Sequence, residues 1–379
     1  MNNHKPAFLV IANFSNNTGY AWHNIYKLIK HLSIKVAQSG LKPIISFAEI
    51  EPTNVDYFDH FEEQLQLDAD LSQTANLNRL LAIVKQHNVK TLYLTDQRST
   101  SSAYAKLRKA GVEHIISHCR VSVANPYRPA PENPLKQTVK WLYSRIPGMT
   151  VDKVICVSDF VKYRLQHKAK IPASKLITVH NGVDTKKFYS EPLPYSPGEP
   201  VTLFTSGRAT SHKGIKELIE AVAIVNETTD IAFNVRYAGD GPEKEQYQQL
   251  AQSLGVANFA FLGQLPSVEK EIHNAHILIM PSAWGDAFPS AVTESLASGR
   301  PLITTEAGGI PEIVGKKGNA VLVPPGNAQA LAEAIKQLLE QPQRWNSIAE
   351  AARAHVTNTY TTENYYNNVW QVIAKEIGV

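Results

Sequence analysis

The sequence predicts an α/β protein built as two domains, each a doubly wound parallel sheet. Three observations predict it. Short apolar runs alternate with stretches of helical periodicity through nearly the whole chain, the pattern of strands joined by crossover helices. The runs are continuous rather than alternating, as strands covered on both faces must be. Residues 191–200 hold four prolines, a stiff linker composition, and the alternation restarts beyond them.

Residues 7–12 (AFLVIA) read as the first buried strand. A helix follows, with Trp22, Ile25, Ile29, Leu32 and Val36 at helical spacing and Gly40 to end it. Strands are expected at 43–47, 92–94, 115–117, 154–157 and 176–179. Helices are expected at 77–84, 103–110, 135–143 and from Phe160. Beyond the prolines, strands fall at 201–205, 233–238, 259–262, 276–280 and 301–304, with helices at 215–225 and 243–254. Pro289 suits the start of a further helix and Gly299 the position just past its end. Three helices close the chain, at 330–339, 344–354 and 364–377. The expected boundaries are a first domain of 1–190, a linker of 191–200 and a second domain of 201–361.

The 379 residues are 43% hydrophobic and 19% charged, enough apolar material for folded cores and unlike a disordered chain. Cys119 and Cys156 stand far apart without a CxxC, which argues against a disulfide framework or a zinc site. No signal-peptide pattern opens the chain, and no apolar run approaches the roughly 20 residues of a spanning helix. A cytoplasmic protein is expected, or one held peripherally at the inner face of the cell membrane. The net charge of +4 conceals an asymmetry. Residues 1–195 carry 25 Lys and Arg against 15 Asp and Glu; the remainder carries 13 against 19. The basic half suits an anionic partner. No nucleic-acid motif accompanies it, so a membrane surface or a phosphorylated acceptor fits better; the plainer account is solubility charge. In helix 135–143, Lys136, Lys140 and the following Arg145 mix with Trp141, Leu142 and Tyr143. Such a helix can lie on anionic lipid, but the simpler expectation puts Trp141 and Leu142 in the core.

Chemistry concentrates after the strands. Asp286 lies in the loop after the apolar run 277–280, and Glu294 sits one to two turns into the helix begun by Pro289. The N–H groups of Ser290, Ala291 and Val292 open that helix, where an anion is welcome. Two carboxylates around an anion-binding helix start suit a ligand carrying hydroxyls and phosphate, such as a nucleotide sugar. The turn from Ser206 to Gly214 closes a strand and offers Arg208 and Lys213 to a pyrophosphate, without being a P-loop. Gly239 to Pro242 also follows a strand. His118 ends another, with Arg120 behind it; Asn16, Asn17, Thr18 and Gly19 form the loop after the first. Asp68-Ala69-Asp70 looks like a DxD metal motif, but its polar, helix-like setting makes it solvated surface. No metal site is expected.

Taken together, Gly207-Arg208 with Lys213-Gly214, Ala238 to Pro242, Phe261-Leu262-Gly263, Asp286-x7-Glu294, Glu306 to Glu312 and Asn181 to Asp184 resemble the signatures of the family-4 retaining glycosyltransferases. They run in the family's order. The resemblance implies the GT-B architecture, two Rossmann-like domains facing a cleft, with the last helix (362–379) crossing back to the first domain. It implies a nucleotide-sugar donor on the second domain, a glycan or lipid-linked acceptor on the first, and no metal or other cofactor. Arg208 and Lys213 would neutralise and stabilise the departing diphosphate; Glu294 would meet the ribose, and backbone near Gly239 and Gly263 the donor and its base. Asp286, Ala287, Phe288, Pro289, Ser290 and Ala291 would hold phosphate and sugar. His118 would stand beside the reacting sugar and Gly19 near the donor phosphate. The catalytic set is thus His118, Arg208, Lys213 and Asp286. The expected reaction moves a hexose or N-acetylhexosamine with retention, from a UDP-sugar before GDP-mannose, in bacterial surface polysaccharide, lipopolysaccharide or glycolipid synthesis. Asp286 departs from the usual Glu by one methylene. An epimerase or phosphorylase of the same fold, or a non-catalytic nucleotide-sugar-binding partner, is the alternative.

Overall fold

Five consecutive buried apolar residues make Ala7–Ile11 the inner strand β1. The computed structural model describes residues 5–16, 23–51, 56–121, 133–316 and 318–379. After β1 come α1 (His23–Gln38), β2 (Lys42–Phe47), β3 (Glu63–Gln66), α2 (Thr74–Gln86), β4 (Val89–Thr95), α3 (Ser102–Lys109) and β5 (His114–Cys119). Then follow α4 (Pro134–Tyr143), β6 (Lys153–Cys156), α5 (Asp159–His167) and β7 (Leu176–Thr178). All seven strands run parallel in the order β3-β2-β1-β4-β5-β6-β7.

The second sheet is built likewise. Its elements are β8 (Val201–Ser206), α6 (Ile215–Thr228), β9 (Phe233–Ala238), α7 (Lys244–Ser253), β10 (Phe259–Gly263), α8 (Glu269–His273) and β11 (Ile277–Met280). They continue with α9 (Ser290–Ala297), β12 (Leu302–Thr305), α10 (Ile310–Val314), β13 (Val321–Val323), α11 (Ala328–Glu340), α12 (Trp345–Thr359) and α13 (Thr362–Ile377). The parallel order is β10-β9-β8-β11-β12-β13. Two Rossmann-like units result, as predicted: residues 5–121, 133–180 and 363–379 form one, and 181–362 the other.

The last helix belongs with the first unit because its apolar stripe is buried there. Tyr365, Tyr366, Val369 and Ile373 join Phe8, Val10, Tyr93 and Ile155 in one core, and Tyr366 Oη donates to Asn24 Oδ1 at 3.0 Å. The proline-rich stretch has no regular structure, and its Tyr195 packs on Trp345 and His276. Among the described residues no helix is long and apolar enough to cross a membrane.

Three expectations need correcting. Asp68 and Asp70 do not lie in helical sequence: they follow the edge strand β3 in a turn, where Asp70 accepts the Ser72 N–H at 3.0 Å. Cys119 and Cys156 are not distant. They face each other in the register of β5 and β6, both as free thiols, and burial pushes Cys119 up to about 12. Trp141 and Leu142 are not core: they are 46% and 53% exposed, and α4 buries no residue at all.

Candidate active site

The second sheet reverses its strand order between β8 and β11. Open parallel sheets hold ligands outside the carboxyl ends of their strands at such a reversal. The loops leaving these two strands carry Lys213 and Asp286, and the fold joins them. Lys213 Nζ lies 2.8 and 3.0 Å from the two Asp286 carboxylate oxygens. Ser282 donates its hydroxyl to the same carboxylate. Asp286 is only 9% exposed, so the ion pair and the serine offset the cost of withdrawing its charge from water. Lys213 and Asp286, assigned from sequence to diphosphate and sugar separately, therefore also meet each other.

Backbone packing fixes that loop. Gly308 follows β12 at φ +59, and a Cβ there would overlap the Asp286 carbonyl oxygen. The same carbonyl accepts the Gly309 N–H at 2.9 Å. At the neighbouring strand ends, Gly239 N–H donates to Gly263 O at 2.8 Å, and a Cβ on Gly239 would overlap the Gly207 carbonyl. Glycine is therefore the residue that lets these loops lie against one another. Arg208 stands exposed in the loop with Lys213.

α9 starts beyond Asp286. Ala287 and Phe288 are buried, with Phe288 edge-on to Tyr360 at 5.4 Å. The first N–H groups of a helix lack intrahelical acceptors, which leaves those of Ser290 and Ala291 for an anion. Two details change: Pro289 has no N–H to give, and Val292 N–H turns back to Pro289 O at 3.1 Å. Glu294, one turn further on, is largely enclosed. Burial raises its carboxyl to about 7, Glu269 adds to this, and Lys187 and a hydrogen bond from Ser290 oppose it. Lys187 is itself 2.5 Å from Glu269.

The first unit carries His118 at the end of β5. The imidazole is 1% exposed, with its Nδ1 2.6 Å from Tyr93 Oη and its ring edge-on to Tyr93 and Tyr365. Its Nε2 has no hydrogen-bond partner among the described residues. Burial and the Arg120 charge hold its pKa down to about 3, so the ring is neutral across the physiological range. Arg120 Nη2 pairs with Asp96 Oδ2 at 2.6 Å, both side chains nearly buried. Asp96 Oδ1 also accepts the Arg120 N–H at 2.6 Å. Asn16 fastens its loop, its Oδ1 accepting from Glu51 N–H at 2.7 Å. Gly19, with Asn17 and Thr18, lies outside the described residues.

Known proteins resemble this chain. The model described as Glycosyltransferase Family 4 matches residues 65–187, and that described as Glycosyl transferases group 1 matches residues 191–355. The chain belongs to the family-4 glycosyltransferases. The first of these family matches includes His118, Asp96 and Arg120; the second includes Lys213, Asp286 and Glu294. An Escherichia coli K12 protein named as a colanic acid biosynthesis glycosyltransferase is 30% identical over 48% of this chain and 47% of its own. The matched part spans 47% to 58% of the length of the first such curated relatives. Among solved structures, a Rickettsia africae glycosyltransferase covers 98% of this chain and 99% of its own, at TM-score 0.78 and 20% identity. Anabaena HepE, solved with UDP and glucose, covers 98% and 100% at TM-score 0.76 and 16% identity. These likenesses carry the GT-B fold to this family-4 chain.

Sequence reading missed three contributors: Ser282, Asp96 and Lys187. Asp96 and Ser282 lie one and two residues beyond a strand's carboxyl end, whereas Lys187 stands nine residues past β7. For Asp96 and Ser282 that position was the signal available; the partners of Asp96 and Lys187 are remote in sequence, and Ser282 stands four residues from Asp286 with no motif to mark the pair.

Proposed function

We propose that this chain transfers a hexose or N-acetylhexosamine from a nucleotide diphosphate sugar to an acceptor hydroxyl, with retention and without a metal. The observation that carries the reading is the Lys213–Asp286–Ser282 set at the strand-order reversal, opening onto the start of α9. Lys213, Arg208 and the Ser290 and Ala291 N–H groups supply fixed positive potential where a diphosphate would take up charge on leaving. The C1–phosphate oxygen bond breaks and the C1–acceptor oxygen bond forms on the same face; the acceptor proton passes to the departing phosphate. Asp286, already oriented by Ser282, takes a sugar hydroxyl while Lys213 turns to phosphate. Glu294 accepts from the ribose, and neutral His118 is assigned the reacting sugar on the family resemblance. A UDP-sugar is favoured, supported by the nucleotide bound to HepE, with GDP-mannose next. The name of the Escherichia coli relative supports surface polysaccharide as the product class.

The test is a screen of UDP-, GDP- and ADP-sugars with mass spectrometry of products. Lys213→Ala is expected to lower turnover on the order of 100-fold, as loss of one charge-stabilising group does. Unchanged turnover in that variant, or activity lost in EDTA and restored by added metal, would overturn the reading.

We further propose that the first unit rests on an anionic membrane surface through α4. Leu135, Val139 and Leu142 share one helix face at 70%, 55% and 53% exposure, flanked by Lys136, Lys140 and Arg145. An apolar stripe with cationic borders is what an interfacial helix presents to lipid.

A further inference from the structure

The first sheet also reverses its strand order, between β1 and β4. The loop leaving β4 borders a cavity of about 500 Å³, and the start of α3, the β3–α2 turn and Tyr143 complete its walls. Thr95, the last residue of β4, pairs in register with His118, so the cavity adjoins the sheet end that holds that histidine. Its floor is apolar, with Leu71, Leu77, Ala103 and Tyr104 buried beneath it. Its walls carry the hydroxyls of Thr100, Ser102 and Tyr143. Two cations, Arg98 and Lys106, stand exposed on the lining. Neither side chain has a hydrogen bond or ion pair with a described residue; of the influences that hold the Asp70 carboxyl low, the Ser72 hydrogen bonds are the largest and the Arg98 charge the smallest. The one acid there, Asp70, is engaged in its own turn: its Oδ1 accepts from Ser72 N at 3.0 Å and Ser72 Oγ at 2.6 Å, and its Oδ2 from Gln73 Nε2 at 3.4 Å.

An apolar floor with hydroxyl walls suits a sugar ring, which has an apolar face and a polar edge. Two cations without protein acceptors call for an anion on that sugar. We propose that this cavity seats an anionic saccharide, the acceptor end of the reaction, with Arg98 and Lys106 on its carboxylate or phosphate. As an acceptor seat, the inference rests on the transferase reading above.

Calorimetric titration with methyl glucuronide, glucose 1-phosphate and methyl glucoside at low salt tests it. At least one of the two anionic sugars should bind about tenfold or more tightly than the neutral one, as charge-assisted hydrogen bonds predict. The tighter of the two identifies a uronate or a phosphate as the group recognised. Binding should be lost in the R98Q/K106Q double variant. It should also be lost in Ser102→Glu, which adds a negative charge in the first turn of α3, where the helix tolerates one. Equal binding of all three sugars, binding of none, or undiminished binding in both variants overturns the proposal. UDP, GDP and ADP affinities are read separately. If none of UDP, GDP and ADP binds the unaltered protein while the anionic sugar does, the transferase reading fails and the cavity stands as a saccharide site.

Discussion

Glu294 is the residue whose protonation the fold has altered most usefully. Burial raises its carboxyl from the ordinary 4.5 to about 7, so between those values the folded chain holds a proton that the unfolded chain has lost. Stability from this group is therefore fully present below about pH 4.5 and is lost as pH rises through about 7. Thermal midpoints from pH 5 to 8 should fall for the unaltered protein relative to Glu294→Gln, whose side chain does not titrate; parallel curves would contradict this. A ribose hydroxyl donates best to the ionised carboxylate, so donor affinity should rise over pH 6 to 8 and flatten in the variant. Lys213, Asp286 and Glu294 were legible in the sequence because strand, loop and helix punctuation places them one by one. Their mutual arrangement was not. The Lys213–Asp286 pair spans 73 positions of chain, and neither Ser282 nor Asp96 belongs to a pattern that announces its partner.

At the scale of elements, the strand-end loops depend on glycine at close approaches. Gly308 and Gly255 allow a matched comparison, with φ of +59 and +65. An added Cβ on Gly255 meets nothing within 4 Å, whereas on Gly308 it meets the backbone of Asp286. Gly255→Ala should therefore cost only left-handed strain, roughly 1–2 kcal/mol, and leave donor affinity intact. Gly308→Ala carries the same strain and also displaces the Asp286 loop, so it should lose more stability and about tenfold or more in donor affinity. Equal midpoints and equal affinities in the two variants would show that the close approach is relieved elsewhere. The same scale shows what sequence periodicity resolves. Long buried runs such as β1 and β8 were legible because both faces are covered. β3 was not, because an edge strand reading Glu-Gln-Leu-Gln is half exposed and polar. α8, α10 and β13 span only three to five residues, too short for any period to declare itself.

For the molecule as a whole, the charge division and the unpartnered helix bear on the same question. The first 195 residues hold an excess of ten cations, and the rest an excess of six anions. A surface that is merely soluble needs no apolar stripe, yet Leu135, Val139 and Leu142 lie open beside Lys136 and Lys140. Trp141, with the Arg145 guanidinium 4.2 Å above its ring, is an amphipathic residue of the kind that settles at a lipid headgroup boundary. Apolar insertion and cation attraction make different contributions, and the experiment separates them. Vesicles with about a third anionic lipid should bind the protein at low salt and blue-shift its tryptophan emission. Raising ionic strength should weaken binding by screening the lysines, whereas L135E/L142E should abolish it at every salt concentration by removing the insertion. Binding equal on neutral vesicles would leave the basic half without a role in docking, and no binding on anionic vesicles would return α4 to plain solvent exposure. If docking holds, the acceptor would be collected at the bilayer surface, where the cations beside α4 hold the first unit.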